Sequence, residues 1–316
     1  MGEKAVGRGF GKTILFGEHF VVYGLPGIAS AIDKFVEVKA EKVKDLDDII
    51  IDDPVFFKEK VSVKESPDHI KSKSFITTFK DEPDVPTKGI KITFGGTASH
   101  GGGMGFSAAL GVATTRAINN LFNCGWKDDK VFEVAMRWET LAHGTPSGID
   151  PACATYGSLI WFEKNMEGGK NKIKPFKVGK TLFLVMADTG VRHETKVAVA
   201  DVRKRKEENP AEYEKIFSEA KAIATKAKQA LSYGEIEEIG KLMNQNQELL
   251  RKIGVSCPEI EKIIKVANYD GALGAKITGA GMGGTVLILC ENEKHQDKII
   301  ATLAGQGFKA IKTKIN

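Results

Sequence analysis

The sequence predicts an α+β fold in two parts, and three observations predict it. The first is length, since 316 residues can bury a large core and are better accommodated as two sub-domains than as one. The second is KTLFLVMAD, a strand that opens a second half near Lys180. The third is the C-terminal order: helix (Pro258 to Ala267), strand (ALGAKIT), loop (GAGMGG), strand (TVLILC), helix (Glu293 to Gly305) and strand (FKAIKTKI). That order describes a small open sheet with helices on one face.

From Lys12 to Ala40 short apolar runs (TILF, FVVY, IASAI) between turn residues predict two or three strands. Lys44 to Pro86 is more polar and reads either as irregular strands or as a surface excursion. KGIKITFGG alternates as a strand does. Helices are predicted over Ala108 to Leu121 and over Asp128 to Ala142, the second capped by Asp128 or Asp129. The turn HGTPSGIDP leads into CATYGSLIWF, which reads as a buried strand. Three helices follow KTLFLVMAD: Thr195 to Arg205, Pro210 to Ser232 and Ile236 to Ile253. In the last, Ile239, Leu242, Met243, Leu249 and Leu250 lie on one apolar stripe, and Asn246 falls inside it. A buried amide must be hydrogen-bonded, so Asn246 either ties the helix to backbone or reaches toward a site.

No apolar run nears the roughly 18 residues of a membrane span, and MGEKAVGRGFGK has neither a signal core nor a transit pattern, so a cytoplasmic protein is expected. The four cysteines, Cys124, Cys153, Cys257 and Cys290, are scattered without a CxxC pair and read as reduced thiols. A formal charge of +5, with Lys and Arg interspersed among Glu and Asp, suits a small anionic ligand and not a duplex-binding face.

Four segments carry chemistry. In GGGMGFSAAL, glycines let backbone N–H groups turn toward a ligand, and the next helix offers unpaired N–H groups and a partial positive end. That is either a phosphate cradle or a glycine-rich turn into a core helix. No Lys-Ser/Thr follows it, so it is not a Walker loop. A literal GxGxxG at Gly279 to Gly284 precedes a strand and not a helix, which excludes the dinucleotide motif. In GKTILFGEHFVVYG, Lys12, Glu18 and His19 put three ionisable groups among strand-like runs, where Glu18 and His19 either serve a site or cap a hairpin. In RWETLAHGTPSGIDP, Glu139 shares a row with Phe132, Ala135 and Ala142, an apolar setting in which a carboxylate needs a cation or a strong donor. Asp150 follows in a Gly/Pro-rich turn that either holds a catalytic carboxylate rigidly or forms a local ion pair or cap. The loop of GALGAKITGAGMGGTVLIL is either a plain hairpin or a second backbone approach to a ligand.

Taken in order, GK-x-IL-x-GEH-x-VVYG, the glycine loop before SAA, HG-x-PSG-x-D and K-x-TGAG-x-GG resemble the GHMP kinase superfamily. GEHFVVYG with HGTPSGIDPACATYG resembles the branch that acts on mevalonate, and DTGVRHETKVAVADV and LMNQNQELLRKIGVSCPEI resemble it too. Nearly the whole chain takes part; only about Glu41 to Pro86 contributes little. The resemblance implies a two-domain fold, with an ATP-binding N-terminal domain similar to ribosomal protein S5 domain 2 over 1–178 and a ferredoxin-like C-terminal domain over 179–316. It implies transfer of the ATP γ-phosphoryl group to the 5-hydroxyl of mevalonate with Mg²⁺, a homodimer, and neither nucleic acid nor membrane as partner.

The same resemblance implies roles. Gly101, Gly102, Gly103, Met104, Gly105, Phe106 and Ser107 match the loop that holds the ATP phosphates, and Ser107 and Glu139 match the magnesium ligands. Asp150 matches the catalytic aspartate, and Lys12 the lysine that lowers the hydroxyl's pKa and screens the phosphoryl group. Glu18, His19 and Thr195, with Lys12 and Asp150, match positions at the acceptor, and Gly279, Ala280 and Gly281 match the third loop. The chain departs from the family pattern at Phe10, at Ser99-His100, at Phe106, where serine is usual, and at Met282, where glycine is usual. Another small-alcohol kinase of this fold, for phosphomevalonate or a sugar, is the alternative within the class. A non-catalytic RNA-associated protein is the alternative outside it.

Overall fold

The computed structural model describes residues 3–98, 103–144 and 146–316. Contacts divide the chain into two compact units, Met1–Lys12 with Asp33–Gly157, and Thr13–Ile32 with Ser158–Asn316. Two long strands, β1 (Lys4–Phe16) and β2 (Gly27–Lys42), lend one end to each unit.

In the first unit, the polar stretch after β2 folds into β3 (Ile49–Asp53), β4 (Glu59–Ser62) and α1 (Ile70–Phe79). It is part of the core and not an excursion: Ile49, Ile51, Val61, Phe75 and Phe79 are buried together with Ile92 and Leu110. Its strands are short and bury only part of their length: in β3, Ile49, Ile51 and Asp53 are buried while Ile50 and Asp52 are half-buried. β5 (Ile90–Gly96) pairs antiparallel with β2, Val36 opposite Gly96, and parallel with β3.

Three helices complete this unit: α2 (Phe106–Phe122), α3 (Asp128–His143) and α4 (Ile149–Tyr156), each packed on the other two. β1 runs so close to α2 that a Cβ on Gly9 would stand 2.1 Å from the Ala109 carbonyl oxygen. Only glycine permits that approach, which fixes the end of β1 against the helix. The predicted cap of α3 is corrected by one residue. Lys127 is the N-cap, and Asp128 and Asp129 lie in the first turn, where negative charge favours the helix end.

The CATY portion of the expected strand is helical instead, as part of α4. A short apolar run does not distinguish a buried strand from a buried helix, and left-handed glycines at Gly148 and Gly157 bracket eight helical residues here.

In the second unit, FVVY is a 3₁₀ turn, Phe20–Tyr23, and not a strand; it is stopped by Gly24 in the left-handed region. β6 (Leu159–Glu163) pairs with the start of β2 and with β7 (Lys172–Phe176). β8 (Leu182–Asp188) follows, then α5 (Thr195–Glu208), α6 (Pro210–Tyr233), α7 (Ile236–Lys252) and α8 (Pro258–Tyr269). β9 (Gly274–Thr278), β10 (Thr285–Cys290), α9 (Glu293–Gly305) and β11 (Lys309–Ile315) end the chain close to the predicted bounds. These strands form an antiparallel sheet in the order β11-β8-β10-β9. All six residues of β10 are buried, so both faces of its centre are covered.

The apolar stripe of α7 is buried as its spacing requires, and the helix also closes the free edge of the sheet. Asn244 Oδ1 accepts from the Ala275 N–H at 3.0 Å, and Gln247 Oε1 accepts from the Ile277 N–H at 2.9 Å. Side-chain amides thus take the place of a neighbouring strand along β9. Among the described residues no helix is long and apolar enough to cross a membrane.

Candidate active site

In the first unit the ends of β1, α2, α3 and α4 bring four predicted residues together. The Lys12 N–H donates to the Met104 carbonyl at 2.8 Å, which ties β1 to the glycine loop. Lys12 Nζ stands 3.2 Å from Asp150 Oδ1. Asp150 is thus not in a turn before a strand; it lies in the first turn of α4, just after the left-handed Gly148.

Gly105, at φ +67, precedes the first residue of α2. A Cβ there would lie 3.0 Å from Lys12 Cγ and 3.4 Å from Asp150 Oδ2. The backbone conformation and the space left by the ion pair both require glycine. Gly103 is likewise in the left-handed region, and Met104 is buried. Gly101, Gly102 and the Ser99-His100 pair lie outside the described residues.

Glu139, on the last turns of α3, is 3% exposed. Burial pushes its carboxyl above the ordinary value; a hydrogen bond from Ser107 and the charge of Lys12 act the other way, while Asp150 adds to the rise. His143 Nε2 stands 3.7 Å from Glu139 Oε2. Glu139 Oε1 is buried without a hydrogen-bond partner, an orphan acceptor that a cation would satisfy. Glu139, His143, Ser147 and Asp150 line a cleft of about 230 Å³.

Among the described residues no three His, Cys, Asp or Glu side chains converge on a metal position. Magnesium does not require such a cage, because it keeps water and takes one or two carboxylates plus phosphate oxygens. Ser107 and the orphaned Glu139 oxygen fit that donor set.

Phe106 opens α2 where a hydroxyl would be usual, and its ring packs edge-on against Phe56 at 4.7 Å and Phe57 at 6.3 Å. The aromatic side chain therefore joins the core of the first unit.

The second unit holds the other predicted residues. Glu18 is 1% exposed and His19 5% exposed, so neither caps an open hairpin. Glu18 pairs with Lys276 Nζ, and Asn246 Nδ2 donates to Glu18 Oε2 at 3.3 Å. Burial pushes the Glu18 carboxyl up and the Lys276 ammonium down, and their attraction opposes both shifts. His19 sits at φ +62, and its Nε2 lies 2.7 Å from the Ala280 carbonyl. Gly279 and Gly281 flank Ala280 in left-handed conformations, and Met282, at φ +56, shares that backbone region. Thr195 is the exposed first residue of α5. Sequence reasoning missed Lys276; the available signal was a lysine inside the apolar strand ALGAKIT.

Residues 70–158 match the model of the GHMP kinases N terminal domain, and residues 218–309 match that of the GHMP kinases C terminal. The chain is 34% identical over 321 residues to the mevalonate kinase of Pyrococcus furiosus, covering 96% of this chain and 94% of that one. It is 35% identical over 314 residues to that of Thermococcus gammatolerans, covering 93% and 91%. The crystal structure of L. major mevalonate kinase in complex with R-mevalonate superposes with a TM-score of 0.87 at 32% identity, covering 100% of this chain and 96% of that one. With identity above 30% along nearly the full length of both chains, this chain belongs to the mevalonate kinase family of the GHMP kinases.

Proposed function

We propose that this protein phosphorylates mevalonate, using ATP and Mg²⁺, at the 5-hydroxyl to give 5-phosphomevalonate. Full-length similarity to mevalonate kinases supports the acceptor, and the matched family models support the reaction class. The observation that carries the mechanism is the Lys12–Asp150 ion pair at 3.2 Å beside the glycine loop and the Ser107–Glu139 pair.

Phosphoryl transfer needs chiefly positioning and charge stabilisation. The Asp150 carboxylate accepts the proton of the 5-hydroxyl as its oxygen bonds to the γ-phosphorus; the bond from that phosphorus to the bridging oxygen breaks, and ADP leaves. The Lys12 ammonium favours the developing alkoxide and offsets charge on the phosphoryl group. The loop from Gly101 to Ser107 holds the ATP phosphates, and Ser107 and Glu139 hold the cation. Bound Mg²⁺ supplies charge neutralisation on the phosphates. Glu18, His19, Thr195 and the Gly279, Ala280 and Gly281 loop serve the acceptor.

On this reading residues 1–178 act as the ATP-binding domain and 179–316 as the C-terminal domain. The functional assembly is a homodimer, as the family resemblance suggests. Four free cysteines fit a reducing compartment, the cytoplasm.

ADP release measured with mevalonate, phosphomevalonate and galactose tests the reading. Turnover on mevalonate alone is expected. Preference for either other acceptor, or turnover on none together with tight RNA binding, would overturn it.

A further inference from the structure

The β6–β7 hairpin and α6 enclose an open cavity of about 500 Å³ in the second unit, and two periodicities build its walls. Across the hairpin Trp161 pairs with Lys174 and Glu163 with Lys172, so all four side chains leave the same face of the pleat. On α6, Thr225, Lys228, Gln229 and Ser232 stand at i, i+3, i+4 and i+7, one face of a helix. Every lining residue lies in the second unit, and none belongs to the candidate active site.

The lining holds Lys172, Lys174 and Lys228 against one acid, Glu163, an excess of two positive charges. Glu163 is already committed: its Oε1 accepts from Trp161 Nε1 and from Lys172 Nζ, each at 2.6 Å. The hydrogen bond from Lys172 holds the Glu163 carboxyl below its usual value, so it is ionised near pH 7. An ion-paired surface hairpin therefore accounts for Lys172 and leaves two lysines over. Among the described residues neither Lys174 nor Lys228 forms an ion pair. Lys228 is half-buried, its Nζ 4.8 Å from the centre of the Trp161 ring and 5.8 Å from that of Phe176. Aromatic faces attract an ammonium but accept no charge-assisted hydrogen bond as strong as a phosphate does, so Lys228 keeps its capacity for an anion.

The hydroxyls of the lining have the opposite polarity. Thr225 Oγ1 donates to the Lys221 carbonyl and Ser232 Oγ to the Lys228 carbonyl, each at 2.9 Å. With those protons spent on the helix, both oxygens offer only acceptor lone pairs, which suit the hydroxyl or N–H donors of a ligand. Tyr233, 77% exposed at the end of α6, adds an aromatic face at the rim. Unpaired ammonium groups, acceptor hydroxyls and an open aromatic ring match phosphates, sugar hydroxyls and a planar base.

We propose that this cavity is a second, non-catalytic nucleotide site, which takes the phosphates of a nucleoside diphosphate on Lys174 and Lys228 and its base against Tyr233. The volume falls within the roughly 300–1,000 Å³ of small-molecule sites. The inference stands apart from the proposed reaction, because no residue assigned to that reaction lines the cavity.

Equilibrium dialysis with labelled ADP tests it, on the wild type, on Lys174→Gln/Lys228→Gln, and on Lys177→Gln as a charge control just beyond β7 and outside the lining. The double variant should bind one ADP fewer per chain than the wild type, with turnover and melting temperature unchanged, and Lys177→Gln should bind as the wild type does. Adenosine and inorganic pyrophosphate should each displace the extra ADP at least about tenfold less well than unlabelled ADP, because each offers only part of the ligand. Equal ADP stoichiometry in the wild type and the double variant, the same loss in Lys177→Gln, or displacement by pyrophosphate as effective as by ADP would overturn the inference alone. Failure of the wild type to phosphorylate mevalonate would overturn the proposed reaction and leave the difference in ADP count untouched.

Discussion

The two clusters of ionisable residues use similar side chains under opposite conditions. In the first unit, Lys12 and Asp150 form an ion pair whose side chains are 12% and 34% exposed, beside a buried Glu139 oxygen that lacks a partner. In the second, Lys276 and Glu18 form an ion pair with no exposure at all, and Asn246 donates to the second carboxylate oxygen. An accessible pair with an unmet acceptor nearby can exchange protons and receive a cation. A sealed pair whose carboxylate is bonded on both sides cannot, and its value lies in fixing geometry. Burial and satisfaction, more than residue type, separate chemistry from positioning.

The comparison breaks most severely at Lys276. Lys276→Met leaves a buried carboxylate unpaired and should cost about 3–5 kcal/mol of stability in chemical denaturation. A loss under about 1 kcal/mol would mean the pair is not sealed in solution.

Glu139→Gln should lower apparent Mg²⁺ affinity by about 10–100-fold, measured from the metal dependence of turnover. It should also raise the melting temperature of the metal-free protein near neutral pH. The sign follows from linkage. The folded pKa of Glu139 lies above the ordinary glutamate value of 4.5, so stability is fully present below about pH 4.5 and is lost as pH rises through the folded pKa. Gln has no proton to lose, so the gain over wild type should appear on raising the pH and vanish in acid. An equal shift at every pH would contradict a buried, strained carboxylate.

Gly105→Ala should cost about 1–2 kcal/mol for its left-handed backbone. Because the added Cβ presses on Lys12 and Asp150, it should also lower kcat more than Gly103→Ala, where the Cβ meets open space. The smallest effect is at Met282. Met282→Gly relieves a positive φ but loosens the unfolded chain, and should change stability by less than about 1 kcal/mol.

Much of this was legible in the sequence. Helical spacing placed α7 and its stripe, and α9 matched its predicted bounds, because long amphipathic patterns tolerate little ambiguity. CATY and FVVY were misread because runs of four or so apolar residues carry no usable period. The stretch from Lys44 to Pro86 was opaque because its strands, of five and four residues, are too short to show a period. Asn246 stood out as an amide within an apolar stripe, expected either to tie to backbone or to reach toward a site, and its amide donates to the buried Glu18 carboxylate. Lys276 did not stand out, since a strand lysine normally points to water and only tertiary contacts show it inside.

The division of labour between the clusters is tested most directly by kcat of Asp150→Asn at saturating ATP and mevalonate, with nucleotide affinity and melting temperature recorded on the same preparation. Loss of the proton acceptor should lower kcat by about 10²–10⁴-fold, with both other quantities close to wild type. Wild-type kcat, or a loss explained wholly by weakened nucleotide binding or unfolding, would contradict the assignment of the chemistry to the Lys12–Asp150 pair.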